Sequence, residues 1–329
     1  MYKKITVKFL TLILTLALPI SSTSIASATN NISHPEIDAV QNDKFNTYQH
    51  LETQASVVKV INDGDIVYYI TRFPNKLVVY DSFSEEFVNE VQLPGIPAEI
   101  HIENNQILIS FPNLKTIKYY NKDSFDYEKE LKLPQIVSSF CFYNEYIFYS
   151  EDDQHCKVFR TNMNTGETKQ VMFSCYFPKL LVNTEDKLLY IGESHSTGSK
   201  LYYVDLESLT VKSSFALKNY GYCNCSRNIC YDGEYVYFGR FRVDKLNANK
   251  VVGEYDDSYR DGVGFVSGEF VTTRFGVYVK DTYEPILYFD NAEEHSLITS
   301  SENLCVISKT KWFFSAREIL NIESQFTFL

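Results

Sequence analysis

The chain has 329 residues and a formal charge of −11 at pH 7, from 31 Lys and Arg against 42 Asp and Glu. That balance disfavours nucleic acid and anionic lipid as partners, because both reward clustered cations. The 25 Tyr and 24 Phe, beside 13 Gly and 9 Pro, supply β-propensity and aromatic cross-strand packing.

Residues 1–28 read as an export signal. Lys3, Lys4 and Lys8 form a basic start, Phe9 to Ile20 an apolar run, and Ala26-Ser27-Ala28 a small-residue cleavage site. The apolar run is too short to span a bilayer, and no later run reaches about 18 apolar residues. No Cys follows the run to carry a lipid. Cleavage leaves 301 residues beginning at Thr29 and, with three lysines lost, a charge of −14. The expected location is secreted or cell-surface associated. Residues 29–56 read as a lead-in, and no transmembrane segment is expected after cleavage.

From residue 57 onward one unit recurs about seven times: an apolar stretch, a polar turn, a second apolar run, a loop, an aromatic run ending in Asp or Asn, a turn and an alternating strand. The second runs begin at Ile66, Ile107, Ile147, Leu188, Val236, Val271 and Cys305. A period near 40 built from four short strands predicts a β-propeller. Innermost strands are predicted over Val57–Ile61, Glu99–Glu103, Ser139–Tyr143, Leu180–Asn183, Asn228–Tyr231, Gly262–Val266 and Leu297–Ser300. Turns such as Asn62-Asp63-Gly64-Asp65, Asn104-Asn105 and Asp232-Gly233 follow them, with residues that tolerate positive φ. Residues 219–227 are an insertion before the fifth inner strand. The last blade is predicted to take Trp312–Ser315 as its third strand and Ile319–Phe328 as its fourth. The expectation is all-β: a single propeller over 57–329 with seven four-stranded blades, six being the alternative count.

The stretch Leu77-Val78-Val79-Tyr80-Asp81 to Leu93-Pro94-Gly95 resembles the repeat of bacterial YVTN-type propellers, as does Leu201-Tyr202-Tyr203-Val204-Asp205 to Val211. Residues from Asn162 to Thr168 resemble the related quinoprotein-like turn. The resemblance implies a secreted seven-bladed propeller used for binding, surface display or occasional catalysis. Trp312 is the only Trp, so the tryptophans of quinoprotein dehydrogenases have no counterpart and no cofactor is expected. The sialidase Asp-box and the Trp-Asp pair of eukaryotic propellers have none either.

In a propeller the loop between second and third strands and the link into the next blade share one face. Blade three places Glu151, Asp152, Asp153, His155 and Cys156 there, and blade four places Glu193 and His195. Links carry Cys175, Tyr176, Phe177, Tyr220, Tyr222, Cys223, Cys225 and His295. Arg72, Arg240, Arg242 and Arg274 occupy corresponding positions around the ring. His155, His195, Asp152, Asp153 and Glu193 are the residues from which a Zn²⁺ or Mn²⁺ site would be drawn. Their spacing matches no metal motif, and a solvated rim that contacts a partner is the favoured reading. Tyr176, Tyr222, Arg72, Arg240 and Arg274 are the ligand-binding candidates, with blade packing as the rival reading for the tyrosines.

Glu99, His101 and Glu103 alternate on one strand and share a face, as acid–base residues would. Counted back from the second strand, His101 falls in a mostly apolar column with Val60, Cys141, Val182, Cys230, Phe265 and Thr299, which reads it as packed core. Cys141, Cys230 and Cys305 read as buried thiols. Cys156, Cys175, Cys223 and Cys225 are the disulfide candidates, and four cysteines leave three pairings open. No catalytic constellation is complete. The leading function is therefore a non-catalytic propeller binding an extracellular protein, peptide or glycan through its upper loop face. The alternative is an exported hydrolase or lyase, metal-assisted or not, using that face or the channel.

Overall fold

A computed structural model describes residues 47–53, 56–81, 84, 86–194, 198–217, 228–255, 262–273, 276–288, 294–299, 304–309 and 322–328; side chains are described between 56 and 285, apart from 265, 267, 272 and 276–277. Among these residues the regular elements are β-strands, with a 3-10 turn at Pro112–Leu114. No helix there is long and apolar enough to cross a membrane.

The first strand is β1 (Thr47–Thr53). Blade one follows with β2 (Ser56–Asp63), β3 (Ile66–Arg72), β4 (Lys76–Asp81) and β5 (Glu86–Gln92). Blade two is β6 (Ile100–Glu103), β7 (Gln106–Phe111), β8 (Thr116–Asn121) and β9 (Tyr127–Lys132). Blade three is β10 (Ser139–Tyr143), β11 (Tyr146–Ser150), β12 (Cys156–Asn162) and β13 (Thr168–Cys175). Blade four is β14 (Pro178–Asn183), β15 (Leu188–Glu193), β16 (Lys200–Asp205) and β17 (Val211–Ala216). Blade five is β18 (Ile229–Tyr231), β19 (Tyr235–Phe238), β20 (Phe241–Asp244) and β21 (Val251–Glu254).

These five blades form an all-β propeller arrangement with side chains described along every strand. Two further four-stranded antiparallel sheets follow. One is β22 (Val263–Ser267), β23 (Phe270–Thr273), β24 (Gly276–Val279) and β25 (Pro285–Tyr288). The other holds β26 (Glu294–Thr299), β27 (Leu304–Lys309) and β28 (Ile322–Phe328). The expected count of seven blades, or six, thus exceeds the five whose packing is described, because side chains in the last two sheets are described only in part or not at all.

The last sheet departs from the sequence reading in its strand order. It runs β1-β28-β27-β26, with β1 antiparallel to β28 from Thr47 opposite Phe328 to Thr53 opposite Ile322. Residues 322–328 are therefore third in this sheet rather than fourth, and the outer strand comes from within the 29–56 lead-in. The predicted third strand, Trp312–Ser315, lies outside the described residues.

Local chemistry explains why each blade repeats. Asn104 and Asn105, at φ 47° and 62°, close the first hairpin of blade two, since Asn tolerates the left-handed region. The Asp or Asn that ends each third strand folds its side chain back to accept main-chain N–H groups of the next turn. Asn121, Asn162, Asp205 and Asp244 each take two such bonds, and Asp81 takes one from Ser84. In all five blades the fourth strand then carries one extra residue opposite the third: Val88, Glu128, Val171, Lys212 and Val252. Such a bulge adds twist to the outer edge.

The core lies between blades. Ile107 and Ile109 pack with Tyr68, Ile70 and Val79 of blade one. Their neighbour Leu108 packs instead with Phe140, Ile147 and Tyr149 of blade three. Both faces of a second strand are thus buried, which is why those runs are apolar at nearly every position. Tyr rings fill these layers while their hydroxyls cross to the next blade. Tyr190 and Tyr203 donate to the Lys245 and Asp244 carbonyls at 2.8 and 2.7 Å.

Register also corrects one column. His101 lies opposite Leu108 and Cys141 opposite Phe148, each two residues before its hairpin's last pair. The equivalent in blade one is Ile61, opposite Tyr68, and not Val60. The second run of blade one starts at the residue that matches Gln106, so a count from the run starts slips by one.

Candidate functional site

Inner strands and loops from four consecutive blades bring a row of charges together on the upper face. Lys59 of β2 pairs with Glu99, just before β6, at 3.1 Å. Lys179 of β14 pairs with Asp152 at 2.9 Å. Lys179 also acts on Glu99, and Arg72 of blade one feels Asp152. Burial works to raise the Glu99 carboxyl, but Lys59, His101 and Lys179 together hold it below the ordinary value. Three cations against two carboxylates leave this row one positive charge, on a protein that is acidic as a whole.

The proposed acid–base triplet does not assemble. Glu99 is buried at one end of β6, its N–H donating to Ser110 Oγ at 3.0 Å. Glu103 is exposed at the other end, opposite Gln106. His101 lies between them with its ring 4.5 Å from Phe140, and it bonds the Phe140 carbonyl. Its Nε2 is buried without a hydrogen-bond partner. Burial holds this imidazole below its ordinary pKa against the pull of Glu99.

Four of the five residues offered as metal ligands have other partners. Asp152 is taken by Lys179. The Asp153 carboxylate accepts the Gln154 N–H at 2.6 Å. The buried Glu193 carboxylate accepts the Lys200 and Tyr176 N–H groups at 3.0 and 3.4 Å, and burial raises its pKa. His155 lies between Ser174 Oγ at Nδ1, 3.2 Å, and the Tyr176 hydroxyl at Nε2, 3.3 Å. Among the described residues no three His, Cys, Asp or Glu side chains gather as a metal would require. His195 lies outside them.

Of the ligand-binding candidates, Tyr176 packs against His155 with the rings tilted by 55° and 4.6 Å between ring centres. The Arg72 Nε donates to the Pro97 carbonyl at 3.2 Å, tying blade one to the link into blade two. Arg240 pairs with Glu254 at 2.6 Å. Tyr222 and Arg274 are outside the described residues, as are Cys223 and Cys225. Arg242 is not on the loop face at all. It lies over Tyr235 at 3.8 Å and reaches the Lys280 carbonyl and Asp281 in the following sheet. Arg160 occupies the matching register in blade three, over Tyr146 and bonded to the Leu206 carbonyl of blade four.

Sequence reasoning missed an apolar group on the same face. Phe73, Ile96 and Leu114 are 61%, 39% and 42% exposed. They lie on the second loop of blade one, the link into blade two and the 3-10 turn of blade two. Gly95 lies against Leu114 and Asn113, bringing link and turn together. Phe173, 82% exposed, owes its position to a second bulge in blade three, where Phe173 and Ser174 oppose Lys157 alone. That bulge also turns Ser174 toward His155.

No family model matches the chain, and no curated protein does. By structure, 1068 chains match, a breadth that marks a widely shared scaffold rather than a function. One is the crystal structure of the computationally designed Ika8 protein, 12% identical, with a TM-score of 0.51 over 78% of this chain and 82% of that one. At that identity the likeness is one of fold alone.

Proposed function

We propose that this is a secreted, non-catalytic β-propeller that binds an extracellular protein, peptide or glycan through its upper loop face, with a protein or peptide favoured. The observation that carries the reading is the exposure of Phe73, Ile96 and Leu114 on the loop face that also holds a charged row from four blades. Apolar anchors rimmed by charge are the anatomy of a protein-binding patch. Export rests on residues 1–28. Placement beside the bacterial YVTN-type propellers rests on the repeats at 77–95 and 201–211. A seven-bladed ring is supported by β2, which packs beside β6 on one side and β26 on the other.

The test compares capture from the native extracellular medium by the protein and by a Phe73→Ser/Leu114→Ser variant. Capture is expected to fall at least about tenfold, the effect of losing ~1.4 kcal/mol of binding, with melting unchanged. Equal capture by both would overturn the placement. The second reading, an exported hydrolase, draws on the Ser174–His155 contact, because a hydroxyl beside an imidazole is the start of a nucleophile–base pair. Ester cleavage abolished by Ser174→Ala would replace the binding reading with that one.

A further inference from the structure

We propose that Cys156 and Cys175 are joined by a disulfide in the exported protein, stapling the His155 loop to the link that carries Tyr176. The two residues are direct register partners at the open end of the β12–β13 pair. Opposed residues in an antiparallel pair have Cα atoms about 4.5 or about 5.5 Å apart. Both spacings fall within the roughly 4.4–6.8 Å that a disulfide spans. Opposed side chains also leave the sheet on the same side. Both residues are buried, and both are thiols in the structure. The Cys156 Sγ donates to the Asp153 carbonyl at 3.0 Å, and bonding would forfeit only this weak contact, because that carbonyl also accepts the Phe177 N–H at 2.9 Å. The other cysteines whose side chains are described, Cys141 and Cys230, lie on inner strands of blades three and five, opposite Phe148 and Tyr237.

The bond forms by exchange with an incoming disulfide, such as oxidised glutathione or an exported thiol oxidase. One cysteine thiolate attacks it and releases a reduced thiol. The second thiolate then attacks the mixed disulfide and releases the other. The two cysteines lose two electrons and two protons, and the reagent's sulfurs take them up. Burial pushes the Cys156 and Cys175 thiols up to about 11 and about 12 in the folded chain. Thiolate is then scarce at neutral pH, so oxidation precedes completion of the fold. The bond would hold Glu151–His155 against Tyr176–Phe177 whatever the loop face binds.

The full chain is refolded from denaturant in a glutathione redox couple, blocked with an alkylating agent while denatured, and digested. The expected product is a peptide pair joining Cys156 to Cys175. Its melting temperature is expected to lie roughly 5–10 °C above that of the Cys156→Ser/Cys175→Ser variant, for a closed loop of this length. Recovery of both cysteines fully alkylated, or of either joined to Cys223 or Cys225, overturns the pairing.

Discussion

Asn162 shows how much a blade asks of one side chain. Its Oδ1 accepts the N–H groups of Asn164 and Thr165 at 2.9 and 3.0 Å, fixing the turn between third and fourth strands. Asn162→Ala leaves both donors to water and is expected to cost about 1 kcal/mol. That is a fall of roughly 2–4 °C in melting temperature for a chain this long, and Asn162→Asp should restore most of it. His101 tests a different property. The folded state holds this imidazole below its ordinary value of 6.5, so on acidification the unfolded chain takes up the proton first. Stability therefore falls as pH drops through that value, and Glu99, whose carboxyl is held low by Lys59, continues the fall at lower pH. His101→Leu removes the first part, because an aliphatic residue suits a column shared with Ile61 and Val182 and has no Nε2 to leave unpaired. Melting curves for the two proteins between pH 7 and pH 5 should diverge, the variant changing less; parallel curves would show that His101 does not titrate as argued.

At the scale of strands, successive blades are registered by short polar links at their upper ends. Ser110, at the penultimate position of β7, accepts the Glu99 N–H and donates to the Ser138 carbonyl of blade three at 3.3 Å. Ser150 makes the matching bond to the Pro178 carbonyl of blade four. Both hydroxyls are buried, so Ser110→Ala strands a buried N–H and is expected to cost about 1–3 kcal/mol. The urea midpoint should fall with its slope unchanged, and Ser110→Thr should fall less. The periodicity made these strands legible: apolar second runs report burial on both faces, and an Asp or Asn at the end of each third strand reports its turn. The bulges were not legible, since an added Val88 or Lys212 leaves an alternating stretch looking regular. The site was hidden for the same reason. Only the second bulge of blade three turns Ser174 to His155, and Phe73, Ile96 and Leu114 are exposed on three separate segments that no single run of sequence marks.

The whole molecule depends on an element that the repeat does not contain. The outer strand of the last sheet is β1, paired along seven positions with β28, so residues 47–53 are fastened to residues 322–328. Counting forward from Val57 puts all four strands of that sheet at the C-terminus and hides this, because nothing in a local repeat signals a partner as far away in sequence as Thr47 is from Phe328. Cleavage after Ala28 would leave β1 in the mature protein. A chain starting at Ser56 would keep every strand from β2 onward but expose the main-chain edge of β28. An unpaired edge invites association with a second chain, and the loss of a whole strand removes a long-range tie between the two ends. Such a chain is expected to melt more than about 5 °C lower than one starting at Asp43, consistent with a loss of at least ~2 kcal/mol at this size. It should also sediment partly as dimers or larger species. A synthetic peptide covering residues 43–55 should reverse both effects when added in excess, as expected for an agent that binds only the folded chain. If the shortened chain stays monomeric with an unchanged melting temperature, β1 is not what closes this protein.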